Sequence, residues 1–191
     1  MTAQEFLRDF QLLFIEKKVE AIAAYCSNKK FTTFVMNEIE DIIKAHDFMI
    51  QKEYFRIDAI GWSPRADLIE DTEDVHLSHH LWDLEVAVEH ENDQRDWMDE
   101  VVKLAHIVCP LRVVIGYLPW MKRNGGPEFD MLNLKHVVKE LKKLKCFENM
   151  AHGEFLVILG NCNTFENSNH YFGYKGYLYD AQSQSFLPLS E

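Results

Sequence analysis

The chain has 191 residues, of which 47% are hydrophobic, 13% aromatic and 27% charged. This composition supplies enough apolar material for the core of a single domain over residues 1–191, and it excludes disordered and fibrous proteins. The formal net charge of −11 excludes a general basic field that would attract nucleic acid or an anionic membrane.

The acidity is concentrated in one segment. Between Asp67 and Glu100 the sequence has 13 acidic residues and a single base, Arg95, whereas the remaining 18 acids and 19 bases nearly balance. A dense run of carboxylates is typical of a solvated loop or of a place where cations bind.

The cysteines and the N-terminus predict a cytoplasmic protein. The four cysteines form neither a disulfide framework nor a zinc-binding pattern: Cys26, Cys109, Cys146 and Cys162. No apolar run reaches membrane-spanning length, and the first residues lack the pattern of a cleavable signal. We therefore expect no membrane interaction.

The first third of the chain predicts two helices and a strand. Apolar residues recur at helical spacing over residues 6–23 and 34–43, with a break near Ser27 and Asn28. Residues 54–62 alternate as in a strand, and an acidic loop follows them.

The segment 81–91 is the most regular predicted strand. Leu84, Val86 and Val88 share one face, and the other face is largely acidic: Asp83, Glu85, Ala87, Glu89 and Glu91. A helix capped by Asn92 or Asp93 follows it, and residues 111–118 then form a continuously apolar strand. This order predicts a parallel crossover that buries both faces of the acidic strand.

The remaining elements complete one α/β domain. Helical spacing predicts a helix over residues 132–146, and strands are predicted over 155–159 and 171–179. The order ααββαβαβ predicts a central mixed sheet flanked by helices, with N-terminal helix and C-terminal strand additions.

Carboxylates on neighbouring strands form the main candidate site. Asp58 lies near the end of one predicted strand, and Glu89 and Glu91 lie on one side of the next. Together with the backbone carbonyl of His90, these oxygens form a ligand set suited to Mg²⁺ or Mn²⁺. The alternative is that Glu85, Glu89 and Glu91 form the wet face of an edge strand.

Three segments resemble the restriction-endonuclease-like superfamily, known for its PD-(D/E)xK signature. They are Arg56-Ile57-Asp58, Val88-Glu89-His90-Glu91-Asn92 and Leu111-Arg112-Val113-Val114-Ile115-Gly116-Tyr117. The resemblance implies an αβββαβ core over about residues 30–120, followed by a C-terminal extension at 121–191. That core requires one more short strand between Ser63 and His80. It also implies metal-dependent cleavage of nucleic acid, with Asp58 and Glu89 at the two acidic positions.

The sequence departs from this signature at the lysine. The residue two positions after Glu89 is Glu91, and the residue before Asp58 is Ile57 instead of proline. Some members carry the lysine on the following helix. In this chain, Lys103 is the only lysine on that predicted helix. The expectation is a magnesium-dependent endonuclease, a hydrolase, in which Asp58 and Glu89 bind metal, Glu91 assists and Lys103 steadies the reacting phosphate or water. The alternative is a non-catalytic binding module that has lost the lysine.

Several further residues have two interpretations. Glu38 and Glu85 are candidate auxiliary metal ligands, although a solvated surface explains acidic residues in such positions equally well. His76, His79 and His80 form a candidate zinc site or a solvated acidic loop.

A lysine-rich predicted helix completes the set of candidates. Lys135, Lys139 and Lys142 are candidate phosphate contacts, and they also fit an ordinary solubility face. Nucleic acid and a second copy of the chain are the candidate partners.

Overall fold

The computed structural model describes residues 1–65, 81–93, 96–118, 127–161 and 173–189. The helices are α1 (Ala3–Glu16), α2 (Lys18–Ala24), α3 (Asn28–Ala45), α4 (Trp97–Ala105), α5 (Pro127–Leu141) and a 3-10 helix (Lys145–Ala151). The strands are β1 (Met49–Tyr54), β2 (Ile57–Arg65), β3 (Leu81–His90), β4 (Leu111–Leu118), β5 (Glu154–Asn161), β6 (Lys175–Asp180) and β7 (Ser185–Pro188).

The seven strands form one mixed sheet in chain order, from β1 to β7. The β3–β4 and β4–β5 pairs are parallel, and the other four pairs are antiparallel. The carboxyl ends of β3, β4 and β5 therefore lie at one edge of the sheet, together with the beginnings of β2 and β6. The mixed α/β architecture predicted from the sequence is confirmed.

Helices cover both faces of the sheet. One core joins α1, α2 and α3 to side chains such as Val86 and Val88, and the second joins α4, α5 and the 3-10 helix to side chains such as Ala87 and Val114. β4 is buried along its whole length, as its apolar sequence predicts. Within the described part of the chain, no helix is both long and apolar enough to cross a membrane.

Three local predictions are wrong. The helix predicted over residues 6–23 divides at Lys17 into α1 and α2. The N-cap of α4 is Asp96 instead of Asn92 or Asp93. The lysine-rich helix ends at Leu141, and a separate 3-10 helix follows it.

The single strand predicted over residues 54–62 is divided by a hairpin turn: Tyr54 ends β1, and β2 begins at Ile57. β1 and β2 meet through the two-residue turn of Phe55 and Arg56, because Tyr54 pairs with Ile57. The hairpin thus supplies two strands before β3 where one was predicted. The short strand expected between Ser63 and His80 falls largely on residues 66–80, outside the described residues.

Both central residues of this turn have left-handed backbones. The φ angles are 47° at Phe55 and 65° at Arg56. Tight hairpins favour this conformation because it matches strand twist, but they normally place Asn and Gly there. A residue with a Cβ atom is strained in this region by about 1 kcal/mol or more. The turn is thus held in place at a cost in stability.

We predict that Arg56→Gly stabilises the fold by about 1 kcal/mol, because glycine adopts the left-handed conformation without a Cβ clash. Urea unfolding measures the change. Arg56→Ala is the matched control, since it removes the same side chain and keeps the Cβ atom. Equal stabilities of the two variants would contradict the assignment of strain to the backbone.

Candidate functional site

The hairpin brings Asp58 opposite Glu89. Asp58 lies at the beginning of β2, not near the end of a strand as the sequence indicated. Because β2 runs antiparallel to β3, its beginning meets the end of β3. Ala59 pairs with Val88 in this register, so Asp58 and Glu89 occupy the next facing positions outward. Both acids therefore lie at the edge where β3, β4 and β5 end.

A backbone hydrogen bond fixes the Asp58 carboxylate. The His90 N–H donates to Asp58 Oδ2 at 2.8 Å. Burial raises the pKa of Asp58 above its usual range, against the opposing effects of this hydrogen bond and of the Lys103 charge. The carboxylate is therefore oriented by the strand that carries Glu89.

Glu89 is a buried carboxylate beneath α4. Its exposed fraction is 1%, and Lys103 Nζ lies 2.8 Å from its Oε1 atom. Lys103 also forms an ion pair with Glu100, one turn earlier on α4, and donates to the Arg56 carbonyl at 3.1 Å. The structure thus places Lys103 between the end of β3 and the hairpin turn.

One lysine faces more negative charge than it can neutralise. Burial and the nearby Asp58 raise the pKa of Glu89, although Lys103 opposes the shift. Burial disfavours the charge on Lys103, but Glu100 and Glu89 together outweigh it and raise the pKa of the ammonium. Two carboxyl groups therefore contact one ammonium, and Asp58 lies close enough to Glu89 to raise its pKa.

Two carboxylate oxygens of this cluster have no hydrogen-bond donor. Glu89 Oε1 and Glu100 Oε2 are buried, and each has a short ionic contact with Lys103 but no hydrogen bond among the described residues. Carboxylate oxygens are the ligands that hard divalent ions prefer, and the cation beside these two oxygens in this structure is the Lys103 ammonium.

The other predicted acids do not join this cluster. Glu91 Oε1 accepts the Asp93 N–H at 2.7 Å, and Glu85 accepts the Ser63 hydroxyl at 2.6 Å, four residues from Glu89 along β3. Glu38 is buried against Lys17 on the other face of the sheet, with a separation of 2.8 Å. The auxiliary roles expected of Glu38 and Glu85 are not supported by this geometry.

Glu100 is the residue that sequence reasoning missed. It lies three positions before Lys103, where two helical side chains meet on one face. That spacing was the available signal. α4 thus contributes an acid that contacts the same ammonium as Glu89, and the ligand role of Glu91 stays a prediction.

His90 points to the opposite face of the sheet. Its Nε2 atom lies 2.9 Å from the Tyr117 hydroxyl, which lies 3.2 Å from the Tyr174 hydroxyl. Burial lowers the pKa of His90 to about 3. The imidazole is thus a neutral structural group, and metal binding by the His90 carbonyl stays a prediction.

The predicted phosphate contacts lie away from the acids. Lys135 and Lys139 are exposed on α5, and Lys142 follows its last residue, with its ammonium 5.8 Å from the Phe147 ring centre. α5 runs away from the edge that carries Asp58 and Glu89. The candidate zinc site at His76, His79 and His80 lies outside the described residues.

Neither a metal-binding cluster nor a similar protein identifies the site. No group of three or more histidine, cysteine, aspartate or glutamate side chains in metal-binding geometry occurs in the described ranges. The chain matches no protein-family model and no curated protein. The geometry of Asp58, Glu89, Lys103 and Glu100 therefore carries the functional argument.

We predict that Lys103→Met destabilises the protein by about 2 kcal/mol at pH 9, because Glu89, with a pKa of about 8, is ionised there and loses its counter-charge. Chemical denaturation measures the loss. The matched control is Lys143→Met, which breaks an exposed pair with Glu140 and should cost less than about 0.5 kcal/mol. Equal losses of stability in the two variants would show that the ion pair of Lys103 and Glu89 does not stabilise the fold.

We predict that His90 makes the protein sensitive to mild acid. Its pKa is about 3 when folded and near 6.5 when unfolded, so the unfolded chain binds a proton first as the pH falls. The contribution is fully present above pH 6.5 and is lost progressively toward pH 3. From pH 7 to pH 5 the native protein should lose about 2 kcal/mol relative to His90→Phe.

Thermal and urea unfolding at the two pH values measure this difference. His106→Phe is the control, because His106 is exposed and its substitution should leave the pH dependence of the native protein unchanged. A His90→Phe protein with the native acid sensitivity would assign that sensitivity to other groups.

Proposed function

We propose that the chain is a magnesium- or manganese-dependent phosphodiester hydrolase that acts on nucleic acid. The observation that carries this proposal is the convergence of Asp58 and Glu89 across two strands, with Lys103 in ionic contact with Glu89 at 2.8 Å. Two acids and one lysine at a sheet edge are the groups that the nuclease signature brings together.

The order of elements supports the same proposal. α3, β1, β2, β3, α4 and β4 follow the sequence αβββαβ, with the parallel step at β3–β4. We propose that this part of the chain is the restriction-endonuclease-like core, and that the lysine has moved from β3 to α4. The first strand of this core is β1.

Asp58 and Glu89 would hold the cation. When bound, the cation would neutralise developing negative charge on phosphate and make an attacking water more acidic. Asp58 is oriented for ligation by the His90 N–H, and burial of Glu89 keeps competing water from its carboxylate.

Lys103 has two partners that set its position. The Arg56 carbonyl and the Glu100 carboxylate hold its ammonium beside Glu89. An ammonium held in this way costs little reorganisation when charge develops on a phosphate nearby. We propose that Lys103 stabilises that charge, while Glu100 acts as a positioning residue for Lys103.

The test compares Asp58→Asn and Glu89→Gln with the native protein. Manganese should raise the melting temperature of the native protein and leave both variants nearly unchanged, because each variant removes one ligand charge. Single-turnover cleavage of plasmid, single-stranded DNA and RNA should fall by about two to three orders of magnitude in each variant.

Glu140→Gln is the control, because Glu140 is an exposed acid on α5 that pairs with Lys143. It should bind metal and cleave like the native protein. An equal thermal shift in Glu89→Gln would place the ion elsewhere. Metal binding without cleavage of any of the three substrates would overturn the hydrolase and support the non-catalytic binding module.

A further inference from the structure

Four aromatic side chains form a continuous row that runs from the hairpin turn near the candidate site toward the end of β2 and the beginning of β3. The ring centres of Phe55 and Tyr54 are 4.6 Å apart, those of Tyr54 and Trp82 are 5.6 Å apart, and those of Trp82 and Trp62 are 6.0 Å apart. Tyr54 and Trp62 pack against the core that also contains α4. We call these four residues the aromatic row. It lies on the β1–β2–β3 part of the sheet.

Part of the aromatic row is open to solvent. Phe55 is 81% exposed and Trp82 is 38% exposed. Tyr54 meets the Phe55 ring at 89° and the Trp82 ring at 79°, so neither exposed ring lies flat against Tyr54. Large exposed aromatics are costly in water, and contiguous ones mark a binding surface. The open ring faces are suited to stacking.

The aromatic row is joined to the candidate site through the hairpin turn. Phe55 is followed by Arg56, whose carbonyl accepts the Lys103 hydrogen bond at 3.1 Å. Asp58 lies two residues further along β2. The turn also keeps Phe55 and Arg56 in left-handed conformations that other residues adopt more easily. It therefore places two exposed side chains, Phe55 and Arg56, directly before the strand that carries Asp58.

Charge distinguishes the kinds of nucleic acid that this surface fits. Duplex DNA presents a dense double row of phosphates and is bound mainly through many cations, which a chain of net charge −11 offers poorly. A single strand exposes its bases, and each base that stacks on an aromatic ring adds about 1–3 kcal/mol of affinity to what the available positive charges supply. Arg56 is exposed and adjoins Phe55 in the chain, so its positive charge is available to one phosphate of a strand stacked on that ring.

We infer that the aromatic row binds single-stranded nucleic acid and guides it to Asp58, Glu89 and Lys103. This inference rests on the proposed function for the identity of the reaction, whereas binding to the row is independent of cleavage. Bases stack on Phe55 and Trp82, and the strand leaves the row at the hairpin turn beside Lys103.

The experiment measures binding in a chelator, so that cleavage does not interfere. The probes are a labelled oligothymidylate, the matching oligouridylate and a DNA duplex of the same length. We expect the two single strands to bind the full-length protein more tightly than the duplex and to quench its tryptophan fluorescence. Comparing the first two probes separates DNA from RNA as the preferred strand.

Phe55→Leu and Trp82→Leu should each weaken single-strand binding about tenfold, because each removes one stacking surface. Phe55→Tyr and Trp82→Phe keep a ring and should restore most of the affinity, which separates stacking from a folding defect. Leu187→Ser is the control, since Leu187 is an exposed apolar residue on β7, the outermost strand on the side of the sheet opposite β1. It should bind like the native protein.

Equal affinity for single strands and duplex, or native affinity in both leucine variants, would overturn the inference. Single-strand binding through the row with no cleavage in manganese would overturn the proposed hydrolase and uphold the stacking surface. Cleavage of duplex alone, without fluorescence quenching, would uphold the hydrolase and overturn the stacking surface.

Discussion

The buried carboxylate of Glu89 is the constraint on which the site depends. A carboxylate with 1% exposure destabilises a fold unless a positive charge accompanies it. Lys103 supplies that charge from α4, and its long side chain also bonds the Arg56 carbonyl of the hairpin turn. One ammonium therefore joins the helix, the central strand and the turn, and the site cannot be separated from the packing of α4 on the sheet.

The close approach of α4 depends on a glycine in β4. A Cβ atom at Gly116 would lie 2.6 Å from the Cβ and Cγ atoms of Trp97, the first residue of α4. The absence of that atom lets the indole lie directly on β4, so α4 packs closely against the sheet. Lys103, almost two turns later, then reaches the end of β3. A packing requirement in the core thus sets the position of a charged group at the edge.

Arg112 secures the opposite end of the same layer without a carboxylate partner. Its fully buried guanidinium donates to the carbonyl oxygens of Ile107, Asn149 and His152, and it lies 4.8 Å from the centre of the Phe155 ring. These bonds tie the segment after α4 to the 3-10 helix and β5. Arg112 therefore secures the end of the sheet away from Glu89, whereas the end that carries Glu89 holds the carboxylates.

The sequence by itself determined the elements with strong periodicity. The alternation of β3, the continuous apolar run of β4 and the crossover through α4 followed from hydrophobic spacing, because burial of one or both faces leaves a regular pattern. The acids Asp58 and Glu89 and the lysine Lys103 were also found from the sequence. Their chemistry is visible in the residue types.

Only the tertiary structure decided which of these residues meet. Phe55 and Arg56 carry no usual turn signal, so the hairpin that reverses the chain before Asp58 was missed, and β1 with it. Glu91 and Glu100 are both acidic, and the choice between them depends on the approach of α4 to β3. The aromatic row unites β1, β2 and β3 through residues far apart in sequence. Such long-range contacts leave no local pattern, because they are fixed by strand register and helix packing.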